Sequence, residues 1–306
     1  MKILLTGATG FIGSEFIKKT QHDLRCVVRK NKANDFNDVF EVDELNEKTN
    51  WQGAFENVDA VVHLAGLAHS DNYDSDEFFK VNCRGTLKLA EDAANAGVKR
   101  FLFISTVAIY ESCQYQKQPF TESVGPHPVS KYAKSKYEAE LGLKRLAANN
   151  KMEIVIIRKP SVYSGLDDGS ISTLVKLVKK LPVLPFALTR NARSFISIIN
   201  LIDFMELSLS HEKAAGETFL ISDNESTSTK ELTNRIANVL EKRIWQLPVP
   251  IFIFKLFGFI LARKRLTEQL FGDFEVDCSK AINLLGWQPK FTMEQTLLKY
   301  IKRRED

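Results

Sequence analysis

The chain has 306 residues, 44% hydrophobic and 26% charged, with a formal net charge of +4, which is the ordinary globular range and enough for one large or two medium domains. Its basic runs, Arg263-Lys264-Arg265 and Lys302-Arg303-Arg304, are too short for a nucleic-acid stripe and read as solvated helix ends. Cys26, Cys83, Cys113 and Cys278 lie far apart without a C-x-x-C pair, and the five histidines lack ligand spacing, so neither a disulfide framework nor a metal site has support.

Met1-Lys2 leads straight into the apolar run Ile3-Leu4-Leu5, too short for a signal-peptide core with a cleavage site. A cytoplasmic protein with reduced thiols is expected. The first strand, Lys2–Thr6, enters Gly7-Ala8-Thr9-Gly10-Phe11-Ile12-Gly13, and a helix is predicted from Phe11 to Thr20. A strand that turns through glycines into a helix aims unpaired N–H groups and the positive end of the helix dipole at whatever fills the turn, and a pyrophosphate suits it. Gly7 permits the turn, Gly10 lets a ligand approach the backbone, and Gly13 lets the helix lie against the sheet. The spacing, G-x-x-G-x-x-G, is one residue longer than the commonest dinucleotide fingerprint. The plainer alternative is a glycine-rich turn that binds nothing.

Strand-length apolar runs recur at Leu24–Arg29, Asp59–Ala65, Lys99–Ser105 and Glu153–Arg158, with helix-like segments between them. That alternation predicts an α/β fold, a Rossmann-type doubly wound parallel sheet with helices on both faces. Ligands then gather at the carboxyl ends of the strands, where Gly7, Arg29, Gly66, Ser105 and Thr106 fall. Arg29-Lys30 occupies the place where an acid would bind ribose hydroxyls. Two cations suit a 2′-phosphate instead, so NADP is preferred over NAD. Asp43 and Glu44, after a third strand, are candidate adenine contacts. His63 and His69 flank a strand end, where a core or surface role is the commoner one.

Tyr132 and Lys136 are spaced i, i+4 and share one face of a helix formed by Ala133, Lys134, Glu138, Ala139, Glu140 and Leu141. A phenol is a poor base at neutral pH unless a cation favours its phenolate, and a neighbouring ammonium does that. Such a pair suits hydride transfer at a carbinol carbon, with Tyr132 moving the hydroxyl proton. Taken alone, Y-x-x-x-K is more readily the mark of an amphipathic helix in which the tyrosine packs and the lysine is solvated. Thr106, ending a strand, can hydrogen-bond a substrate oxygen, or merely satisfy a turn.

Past residue 160 the rhythm changes. Pro182, Pro185, Pro248 and Pro250 break the chain, and Ser228-Thr229-Lys230-Glu231 has the capping-box spacing of a helix running to about Leu240. The expected division is a dinucleotide-binding domain over 1–160 and a smaller α/β substrate lobe over 161–306, some segments of which return to the sheet. The apolar run 251–262 is too short to span a bilayer. It is read as a buried helix, the alternative being a weak inner-membrane surface contact through 251–265.

Taken in order, G-A-T-G-F-I-G at 7–13, H-L-A-G at 63–66, V-N-C-R-G-T at 81–86, I-S-T-V-A-I-Y at 104–110, Y-A-K-S-K at 132–136 and R-K-P-S-V-Y at 158–163 resemble the extended short-chain dehydrogenase/reductase family, in its nucleotide-sugar epimerase/dehydratase branch. N-A-R-S-F-I-S-I-I-N at 191–200 and L-G-W-Q-P at 285–289 extend the resemblance over nearly the whole chain. It implies Thr106, Tyr132 and Lys136 as the catalytic set. It implies a cofactor site of Gly7, Thr9, Gly10, Phe11, Ile12, Gly13, Arg29, Leu64, Ala65, Gly66, Asn82, Ser105, Tyr132 and Lys136. Thr106, Ser170 and Arg193 are the implied substrate contacts, Arg193 on the sugar nucleotide's diphosphate. No metal is implied.

Departures sharpen the expected reaction. The 4,6-dehydratases of the branch carry Asp-Glu directly after the threonine, whereas Val107 and Ala108 stand here, so dehydration is not expected. Lys159 replaces a usual proline and Ser164 a usual glycine, and Ser170 stands in for a missing asparagine. With Arg29 favouring NADP, the first reading is a reductase of a nucleotide-linked (UDP) 4-keto-6-deoxy sugar in surface polysaccharide synthesis. The second is a UDP-hexose 4-epimerase with tightly held NAD, and a catalytically silent dinucleotide sensor is a third. A homodimer, a nucleotide-sugar substrate and no nucleic-acid partner are expected.

Overall fold

A computed structural model describes residues 1–30, 36–67, 74–113, 118–164, 171–254 and 270–302. Its centre is a seven-stranded sheet in which every pairing is parallel. In chain order its strands are β1 (Lys2–Thr6), β2 (Asp23–Arg29), β3 (Val39–Val42), β4 (Ala60–His63), β5 (Arg100–Thr106), β6 (Glu153–Lys159) and, from the second half of the chain, Thr218–Leu220. Across the sheet they run β3, β2, β1, β4, β5, β6 and then Thr218–Leu220. The order reverses direction between β1 and β4, and a crevice at the carboxyl ends opens at such a switch point.

Both faces of the sheet are covered, which is why the central strands are apolar without alternation. Leu4, Val61, Phe101, Phe103, Ile154 and Ile156 pack on one side with Leu89, Ala139 and Leu143 of the helices Thr86–Asn95 and Lys131–Asn149. Ile3, Leu5, Val62, Leu102, Val155 and Ile157 pack on the other with Phe16 of the helix Phe11–Lys19 and with Leu201, Ile202, Phe204 and Met205 of the helix Ile198–Ser210. Leu102 and Phe103 are 0% exposed, each such burial contributing ~1.5–3 kcal/mol relative to exposure.

The predicted strands and the first helix are present within a residue or two. β5 ends at Thr106 rather than Ser105, and the extra residue is held in register opposite Lys159. β4 ends at His63, because residues 64–67 peel away to line the crevice. The capping box at Ser228 and Glu231 is formed and starts the helix Thr229–Val239. Thr218–Leu220 pairs with β6, so the second half of the chain does re-enter the sheet. A smaller three-stranded sheet joins Ser161–Tyr163, Arg193–Ser197 and Ser226–Thr227.

Of the apolar run, 251–254 form a helical turn. Its Phe254 stacks between Phe186 and Phe271, with centroids 6.2 and 4.7 Å away. Phe252 on the same turn is 67% exposed, so the run is half-buried at one position and open at another. Residues 255–265, like Ser170 and His69, lie outside the described residues. No helix among the described residues is long and apolar enough to cross a membrane.

Candidate active site

The turn after β1 is built from close backbone approach. Gly7 has φ +75°, and a Cβ there would stand 2.7 Å from the Ala65 nitrogen of the loop after β4. The Gly10 N–H donates to the Gly7 carbonyl at 2.9 Å, and a Cβ on Gly13 would collide with that carbonyl. Gly10 is the N-cap of the helix Phe11–Lys19 and places no side chain over its first turn. The positive end of the helix is left open to an anion. A cleft of about 410 Å³ lies against this turn, bordered by Thr9, Gly10, Phe11, Ser14 and Ser164. Gly7, Thr9, Gly10, Phe11, Ile12 and Gly13 are thus gathered with Leu64, Ala65 and Gly66 at the switch point. Glycines that a Cβ would fill and an uncapped helix end fit a dinucleotide pyrophosphate.

Asn82 has a different task from the one expected. It sits in a π-helical stretch, Lys80–Gly85, and is 1% exposed. Its Oδ1 accepts from the Leu67 N–H at 2.7 Å, while Nδ2 donates to the Leu67 carbonyl at 3.0 Å and to Ser135 Oγ at 3.1 Å. Both amide donors are spent inside the protein. Asn82 therefore shapes the loop after Gly66 and ties it to the helix that carries Tyr132.

That helix, Lys131–Asn149, is capped by Ser130, whose hydroxyl accepts from Ala133 N–H at 3.1 Å. Glu111 in turn receives the Ser130 hydroxyl at 2.9 Å and its N–H at 2.7 Å. Tyr132, at the first turn, meets the Phe78 ring edge-on at 6.2 Å. One turn on, the Lys136 ammonium lies 3.9 Å over the Phe103 ring of β5. Burial pushes Lys136 down to about 7, the nearby Lys159 ammonium pushes in the same direction, and Glu140 opposes both. Lys159 is itself lowered by burial, to about 8. Thr106 is 7% exposed and accepts from Ala108 N–H at 3.1 Å. It satisfies a turn as the plainer reading had it, but its own proton has no acceptor among the described residues.

Ser105 is also redirected. Strand alternation turns it, like Phe103, toward the helix face, where it is 1% exposed and donates its hydroxyl to Glu140. Glu140 also receives Arg158 at 2.6 Å, and Arg158 reaches the Tyr110 hydroxyl at 2.6 Å. Ser105 is therefore a support beneath the helix that carries Tyr132 rather than a wall of the cleft. Sequence reasoning missed this network. The available signal was Glu140 at i+8 from Tyr132, a charged residue on the face that packs inward.

His63 is core, in line with the commoner reading. Its ring nitrogens are taken by Thr6 Oγ1 at 2.7 Å and Thr86 Oγ1 at 2.8 Å, and burial holds it neutral, down to about 3. Arg29 ends β2 as an exposed residue, with no ion pair among the described residues, whereas Lys30 is paired with Asp43 at 3.0 Å. Arg193 opens the strand Arg193–Ser197. Its guanidinium donates to the Gly272 carbonyl at 3.3 Å, and burial lowers it to about 10 against the attraction of Asp273. It is a half-buried cation in the second half of the chain. The described residues hold no cluster of side chains suited to a metal.

Residues 3–222 match the family model described as NAD dependent epimerase/dehydratase family. A UDP-glucose 4-epimerase of Vibrio cholerae is 37% identical over 302 residues, covering 96% of this chain and 92% of the relative. Among solved structures, a UDP-glucose 4-epimerase of Thermotoga maritima with UDP-glucose superposes with a TM-score of 0.78 at 21% identity, covering 100% of both chains. The Bordetella bronchiseptica enzyme WbmG, in complex with NAD and UDP, gives 0.76 at 21% identity, covering 99% of this chain and 94% of that one. At these identities the superpositions speak to the fold alone, a parallel sheet covered by helices on both faces.

Proposed function

The chain belongs to the NAD-dependent epimerase/dehydratase family, and we propose that it epimerises a UDP-linked hexose at C4 with a NAD retained from turnover to turnover. The observation that carries this reading is the arrangement at the end of β5. Lys136 lies over the strand with Tyr132 one turn away, Thr106 ends the strand, and Val107 and Ala108 follow it with neither acid nor base. Such a site can manage a proton at one carbinol oxygen. It has no second pair to eliminate water.

A nicotinamide dinucleotide bound at the glycine turn supplies a hydride acceptor and donor. Tyr132 takes the proton from the C4 hydroxyl and returns it, acting as base and then acid. The Lys136 ammonium favours the phenolate, and the Thr106 hydroxyl holds the C4 oxygen as charge develops. Arg193 holds the diphosphate. The 37% identity with the Vibrio cholerae epimerase supports this order of readings over the one that the sequence favoured. Reduction of a nucleotide-linked 4-keto-6-deoxy sugar with NADP(H) is the second reading, favoured by the exposed Arg29 at the end of β2.

The test is to incubate the purified protein with UDP-hexoses and separate the C4 epimers, with and without Tyr132→Phe. Turnover is expected to fall by roughly 100- to 10,000-fold, while the dinucleotide released on denaturation stays the same. Epimer formation that survives the substitution, or no epimer from any UDP-hexose tried, overturns the proposal. A protein that releases no NAD and oxidises NADPH on a 4-keto sugar selects the second reading.

A further inference from the structure

We infer that the ribbon formed by residues 181–188 and 245–247, with the turn at 251–254, is a docking surface for an anionic lipid bilayer. Among the described residues, large apolar side chains are exposed elsewhere only singly, at Met1, Val39, Val129 and Leu298. Here they gather: Leu181, Val183, Leu188, Trp245, Leu247 and Phe252 are 41–74% exposed. Backbone pairing makes them neighbours. Val183 stands opposite Trp245 in a two-stranded parallel ribbon, Val183–Leu184 with Trp245–Gln246. The Leu247 N–H donates to the Leu184 carbonyl at 2.7 Å, and the Ala187 N–H donates to the Leu247 carbonyl at 3.1 Å. Leu184, one step along from Val183, is 0% exposed. The ribbon thus has a buried side in the core and an open apolar side, and Phe252 continues the open side while Phe254 anchors the turn from within.

Charge selects the occupant. Residues 179–190 and 241–254 carry the exposed cations Lys179, Lys180, Arg190, Lys242 and Arg243 against one acid, Glu241. Lys242 Nζ donates to the Lys179 backbone carbonyl, which holds the Lys242 ammonium at the end of the helix Ser172–Lys180. An apolar patch with tryptophan and phenylalanine at its surface and a cationic rim matches the boundary between headgroups and acyl chains of an anionic leaflet. A second copy of this chain is a poor match, since a two-fold contact through the patch would set one cationic rim against the other.

The inference does not depend on which sugar is turned over, and its test has its own readout. Trp51 and Trp287 are 2% and 3% exposed and Trp245 is 74% exposed, so Trp245 is the solvent-facing member of the three tryptophans. The full chain is mixed with vesicles of phosphatidylcholine alone or with phosphatidylglycerol. Flotation and tryptophan emission are then read for the wild type, Trp245→Phe, Trp245→Ser/Phe252→Ser and Lys242→Glu/Arg243→Glu. The expected result is binding about tenfold tighter or more to the anionic vesicles, weakened by added salt. A blue shift should appear in the wild type and vanish in Trp245→Phe, and both double variants should lose binding with unchanged circular dichroism and turnover. No vesicle binding by the wild type, or binding that both double variants retain, overturns the inference. So does a wild-type dimer that Trp245→Ser/Phe252→Ser converts to monomer without lipid, which would make the patch a subunit interface.

Discussion

The carboxylate of Glu140 and the guanidinium of Arg158 meet at 2.6 Å with side-chain exposures of 0% and 4%, joining the helix that carries Tyr132 and Lys136 to the strand that carries Lys159. Removing one charge strands the other in a medium that cannot solvate it. Glu140→Ala should lower the unfolding free energy by ~3–5 kcal/mol, and replacing both residues by methionine should recover most of it. Denaturant titration of the two variants decides this, and a double variant that loses as much stability as Glu140→Ala or more would overturn the expectation.

Lys136 and Lys159 give the protein a definite pH dependence. Their folded values, about 7 and about 8, lie below the 10.5 of a free lysine. Below pH 7 both states hold both protons, and the cost of burying the charges is complete. Between those folded values and 10.5 the unfolded chain binds more protons than the folded one, so this contribution to stability improves as pH rises. Lys136→Met should therefore raise Tm most near about pH 6 and least near about pH 10. A constant increment across that range would contradict the assignment.

Lys159 should also be felt in catalysis. Its ammonium lowers Lys136, and activity that needs the Lys136 ammonium is lost as pH rises through that group's value. Lys159→Met removes the repulsion and should move the alkaline limb of kcat/KM upward by roughly half a unit or more. An unmoved limb accompanied by a simple fall in kcat would mean that Lys159 acts on packing alone.

Gly7 and Gly97 separate strain from close approach. Both have positive φ, +75° and +82°, but a Cβ on Gly7 would press against Ala65 while one on Gly97 would meet nothing within 4 Å. Gly97→Ala should cost ~1–2 kcal/mol of stability and leave dinucleotide affinity unchanged. Gly7→Ala should cost more and weaken dinucleotide binding at least about tenfold, as measured by calorimetry.

Arg29 tests the choice of dinucleotide. If its exposed guanidinium reads a 2′-phosphate, Arg29→Asp should weaken NADPH binding by about tenfold or more and NADH binding far less. Equal effects on the two would remove the case for NADP and leave the epimerase reading alone.

Much of this site is legible in the sequence because its logic is local. The run from Ile3 to Gly13 spells strand, turn and helix in order, and Gly13 is glycine for a contact made within that same unit, whereas the Ala65 backbone that crowds Gly7 comes from the loop after β4. The i, i+4 spacing of Tyr132 and Lys136 fixes their common face wherever the helix lies. Less legible were Asn82 and Ser105. Ser105 stands at the carboxyl edge of the sheet and Asn82 in the helical stretch after β4, where ligand contacts were expected, yet their polar groups are taken by Leu67 and Ser135 in one case and by Glu140 in the other.

The alternation of apolar runs and helices by itself determined a parallel sheet covered on both faces, because only burial on both sides explains strands such as Phe101 to Ile104. It also determined that a strand turns through glycines into a helix at Gly10 and that a phenol and an ammonium share a helix face. Only the tertiary structure decided what surrounds them: that Lys159, across the β5–β6 ladder, presses on Lys136, that Arg158 answers Glu140, and that Trp245 is left in solvent while Trp51 and Trp287 are not. Those outcomes depend on distances between segments far apart in the chain and on how much water each pairing excludes, quantities that periodicity along the chain does not contain.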